Sequence, residues 1–592
     1  MQNERALPSR SSNGTTEQYH APWNAARRDR LVGIVRKVYA RDPTLLSLDD
    51  RIHDNINTGG VAAATVQQPS AHPGDTKLIG QPKMCKAQNK SCSAGTMAVF
   101  LACALFLSCA PTTNSPEPVT YDIGDRNQVF IDGRYLDSAS DVRIRVNQPV
   151  KTYEQCLAGG LRGYETVLEP DGTFRGFHAL TKDGVRWRRV KPGDVPEPDD
   201  ILGLYNGQRV PFVDPLAEPE ERYKLFSASE GEEFNETVLR ASADGAEWRE
   251  IHRGLFPEEA VYPRGMDSQN VAFYDTRINR YVAYVRVNLA MPTPPHHQPY
   301  FDQLSLRNYG RKGFYFLRAI GRAVTDDLSK FPMPEVVLQP DERDPRFDGA
   351  GVMDFYTPQV IPYSHAQDTY YLFTARYLHY EDWFLREDLS GYPLSGAETL
   401  NTGPIDIGFA ASRDGVHWER YQRRPWIPLG PEGSFDSKAM YSCRGLILRG
   451  DEIWLYYIGY DRLHGDIGER ERSTPVMSRV VIRKDGFTSV EADYEGGEFT
   501  TPPLRFKGDR LSLNVDTSAL GLLRVEIQDE TGQPIPGFSL EDCDRIHTTN
   551  STSKTVRWRE KADVGPLAGR AVRLRFELRY GVKLHAFRFS AG

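Results

Sequence analysis

A short turn motif recurs along the chain and limits the folds that it can adopt. In each copy a short segment of β-prone or small residues is followed by an Asp-Gly or Asp-Asp pair, usually with an aromatic residue three or four positions later. Asp-Gly between strands is a strong hairpin signal, because glycine accepts the positive φ of a tight turn. The five copies are LTKDGVRW (180–187), ASADGAEW (241–248), AVTDDLSKF (323–331), AASRDGVHW (410–418) and VIRKDGFTSV (481–490).

A second pattern precedes each turn, in which a charged turn enters a strand of alternating aromatic and aliphatic residues. Its copies are PDGTFRGFHA (170–179), PEERYKLFSAS (219–229), RINRYVAYVR (277–286), AQDTYYLFTARY (366–377) and GDEIWLYYIGY (450–460). Five such units, each a four-stranded antiparallel sheet, predict an all-β fold with a five-bladed β-propeller over residues 151–490. The alternative is one large sandwich. Aromatic residues make up 11% of the 592 residues, which favours strands over a helical bundle.

The ends of the chain differ from the repeat. Residues 491–592 alternate apolar and polar side chains tightly and predict a separate β-sandwich. Residues 110–150 predict a linker with a lead-in strand, QVFIDG (128–133), joining the propeller edge. Residues 1–83 mix polar, small and charged side chains, a composition that predicts an extension that is unstructured or does not belong to the protein.

Residues 84–109 predict a signal peptide. The apolar stretch 98–107 is too short to span a bilayer but fits a signal-peptide core, with Lys86 and Lys90 as its positive flank. Leu107-Ser108-Cys109 resembles a bacterial lipoprotein cleavage site. We therefore expect export, by simple secretion or with a lipid anchor at Cys109; a buried apolar segment is the alternative.

Composition excludes several function classes. The formal net charge of −7 leaves no cationic surface for nucleic acid. After Cys109 only Cys156, Cys443 and Cys543 remain, which excludes a dense disulfide scaffold. No CxxC or HExxH spacing occurs, so the sequence calls for neither a metal nor another cofactor.

The first strand of each unit suggests a site. In a propeller these strands line the central channel, and four of the five units place a carboxylate at nearly the same register. These are Glu165, Asp267, Asp354 and Asp436, while the second unit offers Asn206, Gln208 and Arg209. When carboxylates converge, their mutual repulsion raises the pKa of at least one of them. Cleavage of a glycosidic bond requires such a pair, one protonated acid and one ionised carboxylate. Asp267 would serve as base or nucleophile and Glu165 as acid, with Asp354 tuning its pKa.

Other side chains near these strands suit a sugar ligand. Tyrosine rings stack on sugar faces, and arginines and amides bind hydroxyl or anionic groups. The predicted substrate-binding residues are Arg209, Gln269, Asn270, Arg286, Arg376, Tyr356, Tyr441 and Tyr460. Each also has an ordinary structural explanation, as a cap, an ion-pair partner or a core residue.

The segments MDSQN (266–270), VEIQD (525–529) and PIPGFSL (534–540) resemble the five-bladed propeller glycoside hydrolases. That superfamily contains the invertase-like family 32 and arabinanase-like family 43 enzymes, and the resemblance is closest to secreted bacterial family 32-like proteins. It covers residues 120–592 and implies catalysis by two aspartates and a glutamate on different blades. The invertase signature Trp-Met-Asn-Asp-Pro-Asn-Gly and the Glu-Cys pair are absent, and Arg343-Asp344-Pro345 is interpreted as a chance match.

Three hypotheses follow. The first is an exported glycoside hydrolase acting on a poly- or oligosaccharide, by retention or inversion. The second is a noncatalytic carbohydrate-binding surface protein. The third is a structural propeller that docks a protein partner. The sugar, the linkage and the oligomeric state stay open.

Overall fold

The computed structural model describes residues 119–162, 165–169, 177–191, 197, 199–205, 210–228, 237–261, 266, 269–292, 314–347, 350–351, 353–378, 403–465 and 473–592. The predicted extension (1–83) and signal peptide (84–109) lie outside these residues. In the described part nearly all regular structure is β. One helix of four residues, Glu258–Val261, and three 3₁₀ turns, Gly133–Tyr135, Pro219–Glu221 and Gly565–Leu567, accompany the strands. None of the helices in these ranges has the length and apolarity to cross a bilayer.

The strands are numbered in chain order. The first six are β1 (Tyr121–Gly124), β2 (Gln128–Val129), β3 (Ser138–Ser140), β4 (Val142–Val146), β5 (Val150–Lys151) and β6 (Leu157–Ala158). The next twelve are β7 (Thr166–Leu168), β8 (Phe177–Thr181), β9 (Arg188–Arg189), β10 (Leu202–Tyr205), β11 (Val210–Val213), β12 (Tyr223–Ala228), β13 (Thr237–Ser242), β14 (Arg249–Arg253), β15 (Val271–Asp275), β16 (Arg280–Pro292), β17 (Phe314–Thr325) and β18 (Glu335–Leu338).

Ten more strands follow before the C-terminal group. They are β19 (Arg346–Phe347), β20 (Ala350–Gly351), β21 (Met353–Phe355), β22 (Gln359–Pro362), β23 (Tyr370–Leu378), β24 (Ile405–Ser412), β25 (Ala439–Ser442), β26 (Ile447–Arg449), β27 (Glu452–Tyr460) and β28 (Val476–Arg483). The last nine are β29 (Thr488–Ala492), β30 (Gly497–Thr500), β31 (Leu504–Phe506), β32 (Arg510–Asp516), β33 (Leu522–Asp529), β34 (Ile546–His547), β35 (Asn550–Thr555), β36 (Val572–Arg579) and β37 (Lys583–Ser590).

Five blades form a propeller, so the predicted all-β fold is confirmed. Blades one to three are the four-stranded sheets β7-β10-β8-β9, β11-β12-β13-β14 and β15-β16-β17-β18. Blade four contains β21, β22, β23 and β24, and blade five contains β25, β26, β27 and β28. A single parallel pairing of Ile405 with Ala439 joins blades four and five. Buried aromatic and aliphatic side chains fill the spaces between neighbouring blades.

The ring is closed by strands from both ends of the propeller. Strands β5 and β6 pair with β28 and so complete the outer edge of blade five. Blade one departs from simple chain order, because β10 lies between β7 and β8 and is antiparallel to both. The sequence placed Asn206, Gln208 and Arg209 on the first strand of the second unit. The strands described on either side of them belong to different blades, since Tyr205 ends β10 in blade one and Val210 begins β11 in blade two.

The Asp turns form as predicted at four of the five copies. In blade four, Asp414 accepts hydrogen bonds from the backbone amides of Val416 and His417, each at 2.8 Å. The hydroxyl of Ser412 accepts from the amide of Gly415 at 2.8 Å. Asp183, Asp244 and Asp327 accept equivalent bonds. The fifth copy lacks the Ser or Thr two residues earlier, and its Asp485 instead accepts from the hydroxyl of Tyr363 at 2.5 Å.

These turns also join neighbouring blades. The Tyr284 hydroxyl of blade three donates to the carbonyl of Gly415 at 2.8 Å, and the Tyr456 hydroxyl of blade five donates to that of Gly184 at 2.7 Å. Trp187 meets the Tyr456 ring edge-on, with centroids 5.5 Å apart. This turn tryptophan thus packs on a tyrosine of the neighbouring blade.

A two-sheet sandwich follows the propeller. One sheet contains β1, β3, β30, β31, β33, β34 and β36, and the other contains β2, β4, β29, β32, β35 and β37. The predicted lead-in strand QVFIDG differs from expectation, because Gln128 and Val129 pair with β37 of the sandwich rather than with the propeller. The reason is burial: Phe130 enters the sandwich core, while Val129 and Ile131 enter the apolar layer shared with blades four and five.

Candidate functional site

Tyrosines and cations from three blades converge at one place. We call this group the tyrosine–arginine cluster and define it as Arg286 and Arg318 of blade three, Asp354, Tyr356 and Tyr377 of blade four, and Tyr441, Tyr460, Arg462 and His464 of blade five. Five of these nine, Asp354, Arg286, Tyr356, Tyr441 and Tyr460, are residues that the sequence predicted. The structure brings these five together.

Tyr356 and His464 are at the centre of the tyrosine–arginine cluster. The Tyr356 ring lies 5.9 Å from that of Tyr377 and 6.4 Å from that of Tyr441, centroid to centroid. The His464 ring meets the Tyr356 and Tyr377 rings edge-on at 5.3 and 4.9 Å. The Arg318 guanidinium lies over both tyrosines, 5.1 and 5.6 Å from their centroids. These three tyrosine rings are buried, whereas the Arg318 and His464 side chains at their edge are partly exposed.

Asp354 of β21 fixes the position of Arg318. One carboxylate oxygen accepts from the Arg318 backbone amide at 2.9 Å, and the other accepts from its guanidinium. Burial lowers the pKa of Arg318, but the Asp354 carboxylate outweighs it and raises that pKa above its usual range. The carboxylate is wholly buried, whereas the Arg318 side chain is 20% exposed. Asp354 therefore acts through Arg318, which is the member that reaches solvent.

The Tyr441 hydroxyl contacts the imidazole of His464. Burial raises the pKa of Tyr441 well above its usual value, so the hydroxyl keeps its proton. It lies 2.5 Å from His464 Nδ1, and the imidazole tautomer sets which of the two groups donates. The His464 ring is partly exposed. His464 and the Arg318 guanidinium both contact the rings of Tyr356 and Tyr377.

Glu165 lies apart from this cluster, at the seam of blades one and five. Its Oε1 accepts from the amide of Arg162 at 3.1 Å, and its Oε2 is 3.9 Å from His178 Nε2. Burial lowers the pKa of His178 to about 4, so that the imidazole is neutral near pH 7 and the contact is not an ion pair. Burial raises the pKa of the Cys443 thiol well above its usual value, and the negative charge of Glu165 adds to this effect.

Asp436 belongs to a third environment. Its Oδ2 accepts from Lys151 Nζ at 2.7 Å and from the Tyr457 hydroxyl at 2.8 Å, and its Oδ1 accepts from Ser434 at 2.8 Å. Lys151 and Asp436 are both buried, with side chains 7% and 0% exposed. Burial lowers the pKa of Lys151, and Asp436 offsets part of that effect. The pair ties β5 to blade five and has a structural role.

The polar residues before β15 are used to join strands. The Asn270 side chain accepts from the backbone amide of Arg286 at 2.9 Å and donates to the carbonyl of Met266 at 3.0 Å. Gln269 accepts from the Gln359 side chain of blade four. Both are buried. Asp267 and Arg209, which the sequence also singled out, lie outside the described residues.

Arg376 faces away from the tyrosine–arginine cluster. It alternates with Tyr377 on β23, so the two side chains point toward different neighbouring blades. Its guanidinium donates to both carboxylate oxygens of Asp406, at 2.6 and 2.8 Å. Burial raises the pKa of Asp406, an effect that Arg376 partly offsets. Arg420 and Arg423 hold Asp344 nearby, so the Arg-Asp-Pro match at 343–345 is part of a structural ion-pair network.

Sequence reasoning did not select Arg318, Tyr377, Arg462 or His464 for the site. Tyr377 ends a quoted aromatic strand, so its alternation with Arg376 was a usable signal. Arg318 had none, because no motif surrounds it. No group of three or more His, Cys, Asp or Glu side chains in the described ranges could hold a metal ion. The three cysteines there, Cys156, Cys443 and Cys543, are free and buried.

No protein-family model matches the chain, and no curated protein matches its sequence significantly. Solved structures do. An N-acetylgalactosamine deacetylase from F. plautii, in complex with blood group B trisaccharide, is 14% identical (TM-score 0.30; 62% of this chain and 96% of that one). An exo-1,5-α-L-arabinanase from a bovine ruminal metagenomic library is 12% identical (TM-score 0.29; 55% and 95%). The GH32 β-fructofuranosidase of Bombyx mori is 10% identical (TM-score 0.26; 62% and 89%).

Distant structural similarity thus includes the arabinanase-like and invertase-like enzymes that the sequence resembles. At these identities and TM-scores, the architecture described above rests on the strand pairing of this chain. The neighbours' activities are not carried over to the site.

Proposed function

We propose that this protein is an exported carbohydrate-active enzyme of the glycoside hydrolase type, which binds a poly- or oligosaccharide at the tyrosine–arginine cluster. The observation that carries the proposal is the convergence of Tyr356, Tyr377 and Tyr441 with Arg318 and His464 from three blades. The partly exposed guanidinium and imidazole would bind the sugar hydroxyls, and the buried tyrosine rings would hold these two groups in position.

Cleavage requires two carboxyl groups about 5 Å apart for retention, or roughly 6.5–9.5 Å apart for inversion. In this proposal Asp354 positions Arg318 and does not itself contact the sugar. The proposed catalytic pair is the one that the sequence predicts, Asp267 as base or nucleophile and Glu165 as acid. Since Glu165 lies apart from the tyrosine–arginine cluster, the saccharide would have to extend from that cluster to the seam of blades one and five.

A noncatalytic carbohydrate-binding protein is the second candidate. It is favoured by the burial of Glu165, Asp354 and Asp436, each of which has no solvent exposure. A carboxyl group that never meets solvent needs a rearrangement before it can protonate or attack a sugar. Hydrogen bonding by Arg318 and His464 needs no such rearrangement, because both side chains are partly exposed.

The test is a screen of the purified chain against plant and algal oligosaccharides, with binding measured by calorimetry and cleavage by chromatography. His464→Ala and Arg318→Lys should each weaken binding about tenfold or more. His417→Ala, an exposed histidine in a hairpin turn, is the matched control. If wild type cleaves a saccharide, and Asp267→Asn loses cleavage but still binds it, the hydrolase is supported. If wild type binds a saccharide without cleaving it, the second candidate is supported. If wild type binds none of the saccharides, both candidates are rejected.

A further inference from the structure

Arg444 lies on the inner edge of blade five, in the segment between β25 and β26. Its backbone amide donates to the carbonyl of Glu165, and its carbonyl accepts from the amide of Val167, each at 2.8 Å. Gly445 allows this close approach, because a Cβ there would lie 2.4 Å from the Val167 carbonyl oxygen. The backbone of Arg444 is therefore anchored to the inner strand of blade one, on the channel side of the sheet.

The Arg444 side chain extends across the central channel. Its guanidinium carbon is 5.8 Å from the ring centroid of Phe273, which belongs to β15, the inner strand of blade three. Blades three and five are not neighbours in a five-bladed ring. A contact between their inner strands can form only across the axis, so the guanidinium lies within the channel.

This guanidinium has no anionic partner among the described residues. Its Nη1 is buried and makes no hydrogen bond there. Other buried arginines of the propeller differ, since Arg376 is paired with Asp406 and Arg420 with Asp344. Burial lowers the pKa of Arg444 to about 10, which leaves it charged at neutral pH. A partly buried charge without a partner loses hydration that nothing in the described part of the protein replaces, and an anion from outside the protein would offset that loss.

We propose that Arg444 binds an anionic group supplied by a ligand, inside the propeller channel. A carboxylate or sulfate fits the planar fork of a guanidinium, which donates two parallel hydrogen bonds to such a group. The anion has two possible sources, a free inorganic ion or an acidic substituent on a saccharide. The saccharide source rests on the proposed function. It would place the acidic sugar near Tyr441, three residues before Arg444 on the same blade.

The test compares wild type with Arg444→Gln and Arg444→Lys in thermal unfolding and calorimetry, starting in buffer of minimal chloride. Sodium sulfate, sodium chloride, a uronate-containing oligosaccharide and its neutral counterpart are added at matched ionic strength. Arg449→Gln is the control, because this arginine lies on the same hairpin and is paired with Glu169. Without added anions, Arg444→Gln should unfold at the same temperature as wild type or higher, since it removes an unpaired charge.

Stabilisation of wild type by an inorganic anion, absent in Arg444→Gln and weaker in Arg444→Lys, would establish a site for a free ion. Binding of the uronate at least about tenfold tighter than the neutral sugar, in wild type only, would establish the saccharide source. Equal responses of wild type and Arg444→Gln to every anion would overturn the inference. The proposed function would still stand in that case, if the neutral sugar binds and His464→Ala abolishes that binding.

Discussion

Arg318 of blade three holds Asp354 of blade four through both its backbone amide and its guanidinium. This one residue pair joins two blades and directs a cation toward the rings of Tyr356 and Tyr377. The carboxylate is wholly buried and the guanidinium is partly exposed, so the pair is both a structural bond and the polar edge of the candidate site.

Breaking this pair should destabilise the protein strongly. Arg318→Met leaves the Asp354 carboxylate buried without its cation, and we expect a loss of about 3 kcal/mol in the free energy of unfolding. The double variant Arg318→Met, Asp354→Leu should lose less than the sum of the two single variants, because it leaves no buried charge. Urea unfolding of the four proteins measures this coupling. The exposed pair Arg186 and Asp183 is the control and should couple by less than about 1 kcal/mol.

Gly415→Ala should cost more than an ordinary loss of glycine. Gly415 has a φ of +73°, and an added Cβ would lie 2.3 Å from the Tyr284 hydroxyl oxygen, whose hydrogen bond joins blades three and four. Gly254 has a nearly equal φ of +70° with no atom within 4 Å of the added Cβ. Gly254→Ala should cost about 1 kcal/mol from the backbone alone. Equal losses in the two variants would mean that the contact with Tyr284 does not matter.

Acid should destabilise the sandwich through His585. Burial lowers the pKa of His585 to about 4, below its unfolded value near 6.5. Between these values the unfolded chain binds a proton that the folded chain does not, so stability falls as the pH falls from about 6.5 toward 4. The loss attributable to this residue approaches about 3 kcal/mol at pH 4. His585→Gln should flatten the pH dependence of the unfolding free energy, while the exposed His547→Gln should leave it unchanged.

Asp344→Asn should affect stability and not ligand binding. Asp344 is 1% exposed at its side chain and is paired with Arg420 and Arg423 between blades three and four. We expect a loss of about 3 kcal/mol in unfolding free energy, with saccharide affinity unchanged. Calorimetry on the folded variant at low temperature checks this. Loss of turnover or binding without loss of stability would instead make Arg343-Asp344-Pro345 part of the site.

Local chemistry explains what the sequence predicted well. The turn of Ser412, Asp414 and Gly415 needs only a hydroxyl, a carboxylate and a residue that accepts positive φ, all within four residues. The same chemistry accounts for the turns at Asp183 and Asp244. Repeated five times with aromatic strands, it indicated a five-bladed propeller. In the fifth copy Arg483 stands where the other copies have Ser or Thr, and Asp485 instead accepts from the Tyr363 hydroxyl.

The sequence by itself thus determined most of the strands, four of the five turns and the number of blades, and it selected Asp354, Arg286, Tyr356, Tyr441 and Tyr460. Tertiary structure decided which of the selected residues meet. Successive residues of a strand face different blades, so Tyr377 joined the tyrosine–arginine cluster while Arg376 did not. Lys151 and Asp436 are 285 positions apart, and Arg444 contacts two other blades. Closure of the ring sets such contacts, since no local pattern encodes which distant strand will be opposite.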